Sequence, residues 1–207
     1  MSTLEHPEVD TRLRILAAAE RLFRQIGYQK TTVADIARVL RMSPANVYRY
    51  FDSKKAIHEG VALRLMGEVE AAADVIASKS WPAADRLRAL LSTINAMNTE
   101  RYVGDSNLHE MVAIAMEESW DVCLAHMEVM TSIVGRVVND GVKSGEFRAG
   151  DVETMAKCVV TGMLRFFHPQ MISQCADKPG PTLEQMIEFL VISLTGHAGD
   201  APGVQPE

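Results

Sequence analysis

Aromatic side chains are scarce in this chain, 6% of 207 residues, while 47% of the residues are hydrophobic. Ala, Leu, Val and Met supply most of that share, a balance that favours helices over sheets. No segment alternates polar and apolar residues with the period of a strand, and there is no internal repeat or long linker. Long apolar runs are missing too, since none reaches the roughly 18 residues of a membrane span. The three cysteines, Cys123, Cys158 and Cys175, are odd in number and widely spaced, which excludes a full disulfide framework and points to a reducing compartment. The opening MSTLEHPEVD is polar and acidic and does not read as a signal peptide. These absences predict an all-α, cytoplasmic protein with no membrane partner.

Catalytic patterns are equally absent. HEMVA at 109–113 begins like a zinc-protease helix, but Ala113 stands where the second histidine belongs. Neither a G-x-S-x-G elbow nor a G-x-x-x-x-G-K phosphate cradle occurs. No CxxC or compact Cys/His cluster is present, so no metal or other cofactor is expected.

What the chain does have is a divided charge. Residues 1–58 carry ten Lys/Arg against six Asp/Glu, whereas residues 59–207 carry eleven against twenty-one. The net charge of -6 therefore hides a basic head on an acidic body, as expected when one part alone meets phosphate.

The head reads as helices. Leu13, Leu16, Ala17, Leu22 and Phe23 recur at helical spacing from about Thr11 to Ile26, and Gly27 suits a left-handed cap. Thr32 caps a second, short helix with Asp35 in its first turn and Ile36, Ala37 and Leu40 on its apolar face. Ser43 caps a third that opens on Pro44, where the missing N–H costs nothing. Only Arg41 and Met42 remain for the turn, so the pair is a helix-turn-helix braced by the first helix. Val47 and Phe51, four apart, face Phe23, Ile36 and Leu40. The opposite face offers Pro44 and Ala45 to thymine methyls, Asn46 to adenine and Arg49 to guanine or phosphate. Tyr48, Tyr50 and Lys54 are placed for phosphates; the tyrosines would also serve as ordinary packing residues. Asp52-Ser53 caps a long fourth helix, Lys54 to about Ala77.

The stretch ILAAAERLFRQIGYQKTTVADIARVLRMSPANVYRYFDSKKAI, residues 15–57, closely resembles the TetR/AcrR family of bacterial transcriptional regulators. The resemblance implies that Thr32 and Val33 open the helix meeting the groove edge. It implies that Pro44, Ala45, Asn46 and Arg49 read bases, that Tyr48 and Lys54 meet phosphates, and that Tyr50 stands where a histidine is common. Arg41 and Ala45 occupy positions where glycine is frequent.

Beyond about residue 65 the resemblance fades. The expected helices run from Pro82 to about Asn98, through Leu108, Val112 and Met116 after Gly104-Asp105, and from Asp121 to Lys143. Asp151 caps one to about Phe167, broken by His168-Pro169, and Thr182 to Gln185 is a capping box for a last helix, Leu183 to about Thr195. About nine helices result: a DNA-binding domain at 1–58, an effector-binding and dimerisation domain at 59–197, and a disordered tail at 198–207. The resemblance implies that the body binds an effector and pairs subunits through its last two helices. Val159, Gly162, Phe166, Phe189 and Ile192 are the candidate dimer residues, on helices whose apolar girth also fits burial within a monomer. Candidate ligand residues are Met97, Tyr102, His109, Met116, Trp120, Cys123, His126, Met127, Met163 and Phe167, adaptable types that equally build cores. Cys123 and His126 share a helical face and could join His109 or His168 around a metal, although packing is the stronger reading. The expected function is a homodimeric repressor on a palindromic double-stranded operator, released by a small, largely apolar effector. An activator, a regulator controlled by a protein partner and a helical metal or redox sensor are the alternatives.

Overall fold

The computed structural model describes residues 7–103 and 105–196, so Gly104 and the expected tail lie outside the described residues. Among the described residues eleven helices follow one another: α1 Pro7–Ile26, α2 Val33–Val39, α3 Pro44–Tyr48, α4 Lys54–Ala77, α5 Ala83–Tyr102, α6 Ser106–Glu118, α7 Trp120–Ser144, α8 Val152–Gly162, α9 Leu164–Phe167, α10 Pro169–Gln174 and α11 Leu183–Thr195. There is no strand among the described residues, and none of these helices is long and apolar enough to cross a membrane.

The chain forms two compact units. The first takes residues up to 68 together with 101–126; the second takes 69–100 and residues from 127 onward. Helix α6 packs on α1 and falls in the same unit as α1, α2 and α3. Helices α4, α5 and α7 each supply residues to both units.

In the first unit Ile15, Phe23, Ile36, Val47, Phe51 and Ile57 meet Leu108 and Met111 in one buried cluster. Helices as short as α2 and α3 do not persist alone in water, so this shared core is what holds them. Gly60 lets α4 come close: a Cβ there would lie 2.7 Å from Leu16 Cδ2 and 3.2 Å from Phe51 Cε1.

The second unit is built on Leu87, Leu90, Leu91, Val134, Val137, Val138, Met163 and Leu190. The helix expected from Val152 to Phe167 is interrupted at Met163, whose N–H is shared between the carbonyls of Val159 and Val160. Pro169 does more than break a helix, since it opens α10 at its first position, as Pro44 opens α3. The Phe166 and Phe167 carbonyls at the end of α9 accept from Asn95 Nδ2 and Asn98 Nδ2, each at 2.9 Å.

Candidate nucleic-acid interface

Each terminus of α2 has a specific stop. The Thr32 hydroxyl accepts from Asp35 N–H at 3.1 Å, while Asp35 Oδ2 accepts from Thr32 N–H at 3.0 Å, closing a capping box. Hydrogen bonds from Thr32 hold the Asp35 carboxyl below its ordinary range. Past the other end, Arg41 N–H donates to Arg38 O and Met42 N–H to Ala37 O, the bond pattern of a Schellman turn. That turn needs a left-handed residue, and Arg41 supplies it with φ 55 where glycine would be free of strain.

Helix α3 begins as its sequence dictates. The Ser43 hydroxyl accepts from Asn46 N–H at 3.2 Å, and Pro44 fills the first position. The helix is short, ending at Tyr48, and the Val47 carbonyl accepts from both Tyr50 and Phe51. That turn still brings Phe51 into the core beside Val47, both almost wholly buried. Pro44, Ala45, Tyr48 and Arg49 stay exposed, and Asn46 and Tyr50 are half-buried. Thr32 is exposed, but Val33 is not; expected at the groove edge, its side chain is 7% exposed and belongs to the core.

Two cations are structural. Lys54 Nζ donates to the carbonyls of Tyr28 at 2.8 Å, Thr31 at 3.0 Å and Gln29 at 3.3 Å, and lies 4.2 Å from the Tyr28 ring centroid. An ammonium has three donors. All three are engaged on the loop between α1 and α2, so a phosphate contact by Lys54 would have to exchange one of these bonds. Burial also pulls its pKa below the usual lysine value. Arg12 was not among the sequence candidates. Its Nη1 donates to Tyr50 O at 2.7 Å and its guanidinium sits 4.1 Å over the Phe51 ring, clamping the segment after α3. Only its charge hinted at this. A concavity of about 320 Å³ lies among Val9, Arg12, Arg49 and Tyr50.

His58 also went unnoticed, because a histidine on a helix face carries no sequence signal of burial. It is fully buried between Tyr28 and Phe23, with Nε2 2.9 Å from Met111 O on α6. Next to it in the chain, Glu59 accepts from the Ser119 hydroxyl at 2.7 Å. Both bonds tie α4 to the α6 segment within the first unit.

The candidate ligand residues divide between the units. Tyr102, His109, Met116, Trp120, Cys123 and His126 fall in the first; Met97, Met127, Met163 and Phe167 fall in the second. Tyr102 and Met163 are core residues, and His109 Nε2 is engaged 2.7 Å from Tyr102 O. Trp120 and Met127 are exposed, while Met97 and Phe167 pack at the edge of the second core. Burial raises the Cys123 thiol pKa, away from the reactive thiolate. Among the described residues no group of three or more His, Cys, Asp or Glu could hold a metal ion.

The candidate dimer residues also separate. Val159 is buried in the core of its own unit, and a Cβ on Gly162 would lie 3.3 Å from Leu190 Cδ2, so Gly162 serves the close packing of α8 on α11. Phe166 packs against the same core. Phe189 and Ile192 remain, three apart on α11 and each 65% exposed.

Comparison with known proteins agrees with this geometry. Residues 15–61 match the family model described as bacterial regulatory proteins, tetR family, and residues 83–186 match the tetracyclin repressor-like C-terminal domain. The chain is 24% identical over 148 residues to the uncharacterized HTH-type transcriptional regulator YhgD of Bacillus subtilis, covering 72% of this chain and 78% of that one. SmeT, the repressor of the Stenotrophomonas maltophilia multidrug efflux pump SmeDEF, superposes with a TM-score of 0.68 at 18% identity, covering 95% of this chain and 96% of its own. Thermus thermophilus FadR, a repressor in complex with lauroyl-CoA, gives 0.61 at 21%, covering 93% and 99%. Likeness at these identities shows the fold.

Proposed function

The chain belongs to the TetR family, DNA-binding transcription regulators rather than enzymes, and from that premise we propose a homodimeric repressor released from a two-fold operator by a small, largely apolar effector. The observation that carries the proposal is the exposed face of α3, Pro44, Ala45, Tyr48 and Arg49, fixed from behind by buried Val47 and Phe51. In a dimer two such helices would enter successive major grooves about 34–36 Å apart. Asn46 and Arg49 would read base edges, Pro44 and Ala45 would meet thymine methyls, and Tyr48, Tyr50 and Thr32 would contact the backbone. Lys54 and the exposed Lys55, which pairs with Glu59 at 3.8 Å, stand in the first turn of α4 as candidate phosphate contacts.

The exposed pair Phe189 and Ile192 supports a seam on α11, with the exposed Thr154, Cys158 and Thr161 of α8 at helical spacing. For the effector, Met97, Phe166 and Phe167 supply an adaptable apolar lining at the edge of the second core, with Asn95 and Asn98 as nearby polar anchors. FadR, crystallised with lauroyl-CoA, is a repressor of this fold that takes a ligand with a long apolar chain. A coupling of about 1–3 kcal/mol between effector and operator would change affinity roughly 5- to 150-fold. Helices α4, α5 and α7, which supply both units, are its natural carriers.

Sedimentation velocity tests the dimer. Wild type should sediment as a dimer and Phe189→Glu/Ile192→Glu as a monomer of unchanged helicity. A dimeric double variant would remove α11 from the seam, and a monomeric wild type would refute the proposal.

A further inference from the structure

A cleft of about 590 Å³ opens in the second unit beside the turn from α4 to α5, and the regulator reading does not use it. Its walls are the segment 77–83, Arg86 on α5, and Arg136, Asn139, Asp140 and Ser144 on α7, with Glu146 beyond. That volume lies within the range of small-molecule sites, roughly 300–1,000 Å³.

The charges lining it are unevenly compensated. Glu146 is held at the N-terminus of α5, its two carboxylate oxygens accepting from the N–H groups of Ala83 at 2.7 Å and Ala84 at 2.8 Å. Asp140 is held by Arg86 Nη1 at 2.9 Å, and the same nitrogen donates to Ala77 O at 2.8 Å. Arg136 pairs with Asp74. Arg86 is only 8% exposed, its buried Nε has no partner, and no acceptor for Nη2 occurs among the described residues, so part of the guanidinium's donor set is unspent. Lys79 has no carboxylate partner among the described residues. Its ammonium lies 3.9 Å from the centroid of the Trp81 ring, which remains 46% exposed at the mouth of the cleft.

An indole with open surface, an ammonium above it and a buried guanidinium with a spare donor make a complementary set. The ring offers stacking to a planar aromatic group, and the two cations offer charge-assisted hydrogen bonds to an anion attached to it. We propose that this cleft binds a small aromatic carboxylate, its ring displacing the Lys79 ammonium from the Trp81 face and its carboxylate taken up by that ammonium and Arg86 Nη2. A neutral amide of the same shape lacks the charge, and an aliphatic ring carboxylate lacks the flat face. Both bind more weakly.

The test uses the full chain labelled with 5-fluorotryptophan and followed by ¹⁹F NMR, the Trp81 and Trp120 signals being assigned with Trp81→Phe and Trp120→Phe. Benzoate should move the Trp81 signal saturably and leave that of Trp120 in place. Benzamide and cyclohexanecarboxylate should each bind at least tenfold more weakly. Lys79→Met should weaken benzoate at least tenfold while lowering the melting temperature by no more than about 4 °C, the loss of one exposed cation–π contact; this surface variant is preferred to one at Arg86, whose loss would strand the Ala77 carbonyl. No saturable shift with benzoate up to about 10 mM, well above the range of useful affinities, would overturn the proposal. So would equal binding of benzamide or an unaltered Lys79→Met titration.

Discussion

Replacing Lys54 with alanine separates two roles that predict opposite results. The ammonium satisfies three carbonyls of the loop between α1 and α2, at 2.8, 3.0 and 3.3 Å, and covers the Tyr28 ring. A hydrogen bond from a charged donor contributes about 1.5–3 kcal/mol, and an exposed cation–π contact about 0.5–1 kcal/mol. The three bonds share one ammonium and water can reach part of the site, so they do not add. A net loss of about 2 kcal/mol is expected, which for a chain of this size lowers Tm by roughly 4–8 °C. If Lys54 instead neutralised a phosphate, Lys54→Ala would leave Tm in place. It would then remove two phosphate contacts per dimer and flatten the plot of log K against log salt by about 1.8. Circular dichroism melting gives the first quantity, and anisotropy titrations at several salt concentrations give the second. With the three loop bonds kept on DNA, the structure predicts a lower Tm and an unchanged slope. An unchanged Tm with a flatter slope would refute it.

Two further substitutions probe the cores. Burial holds the His58 pKa below its ordinary value, despite the opposing pull of the Met111 carbonyl, Glu118 and Glu59. The unfolded chain therefore takes up a proton first as pH falls, so the His58 contribution is complete above about 6.5 and drains below it, by at most about 1.4 kcal/mol per pH unit. Melting temperatures should fall over that range in the wild type and fall less in His58→Leu; parallel profiles would exclude His58 as the cause. Gly141→Ala should destabilise by about 1–3 kcal/mol, although alanine is the better helix former. A Cβ there would lie 2.3 Å from Phe147 Cδ2, and Phe147 is pinned by its N–H bond to Gly141 O. A denaturation midpoint equal to or above wild type would show that the Phe147 ring can move aside.

The caps were legible because their chemistry is local. Thr32 with Asp35, Ser43 with Pro44, Asp151, and Thr182 with Gln185 each fix a helix start from a few neighbouring residues. Val47 and Phe51 were legible as inward-facing from their spacing, and Gly27 from the left-handed turn it makes with φ 89. What escaped depends on contacts distant in sequence. Lys54 reaches back some 25 residues to carbonyls that no motif announces, and Arg12 reaches forward 38 to Tyr50. Val159 and Gly162 suited an intersubunit seam and an internal one equally, because apolar periodicity does not say which partner covers a face. The interruption at Met163, where one N–H is shared between the Val159 and Val160 carbonyls, has neither glycine nor proline at that position.

The central claim is that the exposed face of α3 selects a two-fold operator, and selection from random double-stranded DNA tests it most directly. The wild-type protein should enrich two inverted half-sites with centres one helical turn, about 10 base pairs, or a multiple of that apart. Asn46→Ala and Arg49→Ala should each lose information at symmetry-related positions in both half-sites, with a cost of about 1–3 kcal/mol per base contact. Recovery of no preferred sequence, of a motif without two-fold symmetry, or of the wild-type motif by both variants would contradict the account.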